Sequence, residues 1–86
     1  MKIFYSKTFE KAFKKLTQKK QQKIYDTIKI FQDNPTHVIL KNHQLLGNKK
    51  GLRSLSAGGD LRIIFIEENG YTKILMLNVG SHNQVY

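Results

Sequence analysis

Between Asp60 and Val79 the chain carries two long runs of strand-forming residues, joined at Glu68-Asn69-Gly70 and apolar on both sides. Side chains alternate along a strand, so Leu61, Ile63 and Phe65 fall on one face of the first run and Ile64 and Ile66 on the other. A strand buried from both sides belongs in the middle of a sheet. The rest of the chain must therefore supply cover for both faces of a hairpin. With 86 residues there is room for one such core, and residues 1–86 are expected to form a single domain.

The remaining elements follow from their spacing. Lys2-Ile3-Phe4-Tyr5 is strand-like by composition. Ser6 offers an N-cap, and Phe9, Phe13 and Leu16 then recur at helical spacing, with Ala12 widening the stripe. After a tight break at Thr17-Gln18, Ile24, Ile28 and Phe31 repeat that pattern with Tyr25 beside them. Asn34-Pro35 ends the second helix, because proline disfavours helical geometry in the residue before it. Two amphipathic helices joined so closely read as an antiparallel hairpin. Residues 36–50 show little periodicity. Leu52–Ala57 is then a strand, Gly58-Gly59 a turn, Asp60–Glu67 a second strand and Tyr71–Val79 a third, with Asn69-Gly70 as a two-residue hairpin loop. The order β-α-α-β-β-β predicts an α+β domain. Its helix hairpin packs on one face of a mostly antiparallel four-stranded sheet, and something else partly covers the other face.

Charge is distributed unevenly. Lys and Arg number 15 against six Asp and Glu, for a formal net charge of +9. All of that excess lies in residues 1–50, which hold twelve Lys and three acids, while residues 51–86 are balanced. A one-sided excess of lysine points to a polyanionic partner, either nucleic acid or an acidic protein segment. Both arginines, Arg53 and Arg62, lie in the balanced half.

Other classes drop out. Zero Cys removes disulfide scaffolds, thiolate zinc sites and cysteine nucleophiles, and agrees with a reducing cytoplasm. Walker, dinucleotide-binding and zinc-protease motifs are absent, as is any apolar run long enough to span a membrane. No cofactor and no metal are expected.

Four segments together resemble a known family. They are Asn42-His43-Gln44-Leu45-Leu46-Gly47, Gly51-Leu52-Arg53-Ser54-Leu55, Gly59-Asp60-Leu61-Arg62-Ile63-Ile64-Phe65 and Val79-Gly80-Ser81-His82-Asn83-Gln84-Val85-Tyr86. The combination is similar to the RelE/ParE toxin superfamily, and most like its YafQ-type branch in bacterial type II toxin–antitoxin systems. The closing Gly-Ser-His-x-x-x-aromatic signature is the most specific piece. The resemblance implies a metal-independent, ribosome-dependent endoribonuclease that cuts mRNA and is held inactive by a cognate antitoxin. It would reach operator DNA only through that antitoxin. In such chemistry the substrate's own 2′-OH attacks the adjacent phosphate. The protein supplies a proton acceptor, a proton donor and cations around the phosphorus.

The same resemblance assigns candidate roles. His82 stands at the acid/base histidine of the YafQ branch, and an imidazole's ordinary pKa near 6.5 suits proton transfer at neutral pH. Tyr86 stands at the family's terminal aromatic, positioned to stack a base or orient the cleaved phosphate. His43 matches a loop histidine and Asp60 an aspartate before the central strand, while His37 matches nothing and reads as surface. Arg62, a cation among apolar neighbours on a central strand, suits a phosphate site, and Arg53 is expected to be similarly placed on the neighbouring strand. Lys49 and Lys50, in an exposed loop, join Arg53 and the helix lysines as RNA-binding residues.

The chain departs from the branch at three positions. Ser56 stands where a second active-site histidine is common, Leu61 where an aromatic follows the aspartate, and Asn78 where an arginine precedes the closing motif. Two rivals share the fold: a ParE-like inhibitor of DNA gyrase with no nuclease site, and a nucleic-acid-binding module that has lost catalysis. His43, His82 and Tyr86 at family positions favour the nuclease.

Overall fold

The computed structural model describes residues Met1–Tyr86. Strand β1 (Lys2–Tyr5) leads into helices α1 (Lys7–Lys14) and α2 (Gln18–Asp33). Ser6 caps α1 by accepting the Phe9 amide at 3.0 Å, and its hydroxyl donates to the Leu77 carbonyl at 2.8 Å, which fastens the helix start to the sheet. Thr17 caps α2 by accepting the Lys20 amide at 3.2 Å. A 3₁₀ turn (Val38–Leu40), strand β2 (His43–Gln44) and a second 3₁₀ turn (Gly47–Lys49) follow. Strands β3 (Arg53–Ser56), β4 (Leu61–Glu68) and β5 (Lys73–Ser81) and a final helical turn α3 (His82–Val85) complete the chain.

The sheet order is β1-β5-β4-β3-β2, with β1 parallel to β5 and every other pair antiparallel. The expected α+β architecture is present, with β4 and β5 as inner strands. The helices cover one face: Phe9, Ile24, Ile28 and Phe31 pack on Leu55, Ile63, Phe65, Ile74 and Met76. Phe31 and Phe65 meet edge-on, 5.0 Å between ring centroids.

Three details differ from expectation. The sheet has five strands where four are predicted. The extra strand, β2, spans two residues, too few to show a period of two. The β4–β5 loop is also longer than a two-residue hairpin, because Glu68 pairs with Lys73 and leaves Asn69–Thr72 as the connection. Tyr71 is the cause. It leaves the strand at a positive φ of 68° to set its ring against Phe31 and Phe65. Lastly, the register shifts between Ile64 and Phe65, which pair with Asn78 and Met76 and leave Leu77 as an extra residue in β5.

The second face is covered by the chain itself. Ile64, which the sequence leaves in need of a cover, is buried with Leu45 and Val85, and Leu52 and Leu77 pack at the margin. Ile66 is half-buried, beside Phe4 and Leu75.

Candidate active site

The sheet face turned away from α1 and α2 gathers most of the predicted site residues. Strand pairing lays two rows across it. In one, His43 lies opposite Ser54, Ser54 opposite Ile64, and Ile64 opposite Asn78. In the other, Ser56 lies opposite Arg62 and Arg62 opposite Gly80. Paired residues share a face, and successive rows on that face stand two residues apart, about 7 Å along the strand.

The turn α3 packs against β4 and β5 on this face. Its cap is reciprocal: the Ser81 hydroxyl accepts the Gln84 amide at 3.3 Å, and Gln84 Oε1 accepts the Ser81 amide at 2.8 Å. Gly80 makes space for that arrangement, since a Cβ there would stand 2.7 Å from Gln84 Oε1. The His82 amide donates to the Asp60 carbonyl at 2.9 Å and fixes the start of α3 to the β3–β4 turn. The exposed His82 ring meets the Tyr86 ring edge-on, 4.3 Å between centroids at 77°. The Tyr86 hydroxyl in turn bonds the hydroxyl of Ser54.

His43 reaches the same place from the sheet's edge. Its Nδ1 stands 2.8 Å from the Lys41 carbonyl. A carbonyl only accepts, so Nδ1 carries the hydrogen, and Nε2 of the neutral ring is left as an acceptor. Arg62 is half-buried and braces the turn before β4. Its Nη1 donates to the Gly59 and Leu61 carbonyls at 2.8 and 2.9 Å, with Ser56 Oγ at 3.5 Å. The other guanidinium N–H groups make no bond within the protein. Asp60 touches His82 through its main chain, and its residue is exposed. The face thus unites His43, Arg62, His82 and Tyr86, with Asp60 at its rim.

Arg53 lies elsewhere, and its expected placement is corrected. It pairs with Phe65 and shares a face with Leu55, so it points to the helix side, opposite to Arg62. Its Nε donates to Asn42 Oδ1 at 2.9 Å, and Asn42 Nδ2 donates to the Pro35 carbonyl and the Tyr71 hydroxyl at 2.9 and 3.0 Å. That network holds the 35–42 segment to β3, which is a structural task. The alternation with Leu55 was the available signal. Lys49 and Lys50 lie in the β2–β3 connection, at the other end of β3 from the Gly58-Gly59 turn, and Lys49 is half-buried rather than exposed.

Several of the helix lysines, joined by Lys41, do border the site. Lys11, Lys15 and Lys20 line a cleft against Asn78 and Gln84. Lys20 and Lys23 continue into a second cleft beside Gly58, Asp60 and Ser81, and Lys23 and Lys41 into a third that reaches Ser56. The first turn of α2 contains Lys19 and Lys20 and no acid, the reverse of what a helix dipole favours. An anion bound along this belt would relieve that repulsion. The largely apolar groove formed by Tyr5, Phe9, Phe13, Ile24, Tyr25 and Ile28 is on the helix side. Burial, reinforced by Tyr25, pushes the Tyr5 phenol above its ordinary pKa of 10.0. No cluster of three or more His, Asp or Glu side chains is arranged to hold a metal ion.

Known proteins give this geometry a context. The family described as bacterial toxin of type II toxin-antitoxin system, YafQ, matches residues 1–86. YafQ from E. coli strain BL21(DE3) superposes with a TM-score of 0.80 at 24% identity, covering 98% of this chain and 96% of that one. YoeB/ParE toxin from Agrobacterium tumefaciens gives 0.78 at 16% identity, covering 95% and 99%. The E. coli DinJ-YafQ toxin-antitoxin complex gives 0.76 at 24% identity, covering 98% and 94%. At such identities the likeness speaks to the fold alone. No curated protein matches the chain. No helix is long and apolar enough to cross a membrane. The family match runs the full length of the sequence, and the chain belongs to the YafQ family of bacterial type II toxin–antitoxin toxins.

Proposed function

We propose that the chain is a metal-independent endoribonuclease that cuts mRNA on the ribosome and is neutralised by a cognate antitoxin. The observation that carries this reading is the placement of His43, Arg62, His82 and Tyr86 on one sheet face. His43 Nε2, the free acceptor of its ring, takes the proton from the RNA 2′-OH as that oxygen attacks the adjacent phosphorus. The bond from phosphorus to the 5′-oxygen breaks, and protonated His82 gives that oxygen its proton. The products are a 2′,3′-cyclic phosphate and a free 5′-OH. Arg62 offers its unbonded N–H groups to the phosphoryl oxygens, and Tyr86 contributes its hydroxyl and an aromatic edge. Asp60 sets the position of His82 through its main chain. The lysine belt supplies the sequence-independent grip on RNA, and operator DNA is reached through the antitoxin alone. The E. coli YafQ forms a complex with DinJ, which supports a protein antitoxin here.

Mapping RNA ends from induced cells tests the reading. Cleavage should leave 5′-OH ends, and His82→Ala should slow it by about 100- to 10,000-fold, the usual worth of a general acid or base. A folded His82→Ala protein that cleaves at the parent rate removes His82 from the mechanism, and a parent protein that inhibits gyrase supercoiling while leaving RNA intact removes the nuclease.

A further inference from the structure

Ser54 is a polar residue at the centre of β3 with no exposed surface. Its neighbours across the strands are His43 and Ile64, and Ile64 lies under Leu45 and Val85. A hydroxyl sealed in such a place needs a partner, because a buried donor left without an acceptor is costly. The Tyr86 hydroxyl is the one side-chain partner that Ser54 has.

Which oxygen donates follows from counting hydrogens. If Tyr86 donated, the Ser54 hydrogen would be left inside the sheet with no acceptor. If Ser54 donates, its hydrogen is used and the Tyr86 oxygen serves as its acceptor. The Tyr86 hydroxyl then accepts from below and keeps its own hydrogen. Tyr86 is 36% exposed, and it lies on the sheet face that carries His43 and His82.

Resting on the nuclease reading, the geometry points to Ser54 as a positioning residue for the reaction. By donating to the Tyr86 oxygen it holds the phenol so that the O–H is presented to a phosphoryl oxygen, and through the Tyr86 ring it fixes the edge against which His82 stands. Ser54 itself touches neither substrate nor the reacting atoms. The arrangement needs a tyrosine: a phenylalanine at residue 86 would retain the ring contact to His82 and lose both the anchor and the hydroxyl hydrogen.

A double-mutant cycle tests this with Ser54→Ala, Tyr86→Phe and the combined variant, in ribosome-programmed cleavage under single-turnover conditions. Ser54→Ala should lower the rate at saturating RNA by about three- to tenfold, the worth of one positioning hydrogen bond, with the half-saturating concentration unchanged. The combined variant should be no slower than Tyr86→Phe, because Ser54 acts through that hydroxyl. Ser54→Cys, a weak donor of similar size, should recover part of the loss and gives a second folded variant should alanine prove unstable. The His82 ring-proton signals, followed by NMR on the same proteins without RNA, should move alike in Ser54→Ala and Tyr86→Phe. Losses that multiply in the combined variant, or His82 signals untouched by Ser54→Ala, overturn the proposal. A parent protein that leaves RNA intact overturns the nuclease reading instead, and the NMR comparison then judges the Ser54–Tyr86–His82 linkage separately.

Discussion

The His82 amide is held by the main-chain carbonyl of Asp60, 2.9 Å away, so the β3–β4 turn and the C-terminal helical turn are tied without the use of either side chain. Any side chain at residue 60 preserves that bond. Asp60→Asn should therefore leave the His82 amide as protected from hydrogen exchange as in the parent and change cleavage by less than about threefold, the range of ordinary surface substitutions. A loss of a hundredfold with protection intact would give the carboxylate a chemical role of its own.

Gly80 is the counterpart beneath α3. A methyl group there meets Gln84 Oε1 at 2.7 Å, and the amide side chain must swing away and release the Ser81 amide. Gly80→Ala should cost about 0.5–2 kcal/mol, the worth of a helix cap, seen as a lower melting temperature and faster exchange at His82. Cleavage should fall with it. Gln84→Ala, which removes the obstructing atom, should restore little, because it also removes the cap.

Arg62 has two tasks, and substitution should separate them. Its Nη1 bonds to the Gly59 and Leu61 carbonyls, so Arg62→Ala should lower stability by about 1–3 kcal/mol as well as slow cleavage. Arg62→Lys keeps a donor for the turn and gives up the planar fork, so it should recover most of the stability and only part of the rate. Full recovery of the rate by lysine would exclude contact with two phosphate oxygens. Denaturant unfolding alongside single-turnover cleavage reads both tasks.

The lysine belt predicts where charge matters. Reversing Lys15 and Lys20 to Glu should weaken association with RNA and ribosomes far more than reversing Lys49 and Lys50, since the first pair lines clefts leading to Asp60 and Ser81. Raising salt should narrow the gap between parent and variant, because fewer counterions are released on binding the variant. Equal losses for the two pairs would mean that net charge alone sets affinity.

The helices and the inner strands were legible because each has a long enough pattern. Phe9 and Phe13, or Ile24, Ile28 and Phe31, declare a helical stripe, and the two-sided apolarity of 61–66 declares a central strand. His82 and Tyr86 were legible through a motif, and the structure brings their rings together. What stayed hidden depends on contacts between distant segments. Nothing local tells that Tyr71 is pulled from its strand by Phe31 and Phe65, or that residues 43 and 44 find a partner in β3. The lysine belt was only half visible, because composition counts charges and the fold decides which of them line one path. Ser54 gave no signal at all, a serine in a strand being unremarkable until Tyr86 is laid over it.

The extra residue at Leu77 has a consequence for the gene as well as the strand. Ile74 and Met76 point to the helices before it and Val79 points to them after it, an inward pattern that uninterrupted alternation could not produce. His82 follows directly on the second stretch. One main-chain unit thus sets the side of the molecule on which the last five residues emerge. An in-frame loss of one codon here would leave composition, charge and nearly every side chain unchanged, while forcing either the core to turn outward or the histidine to the wrong side.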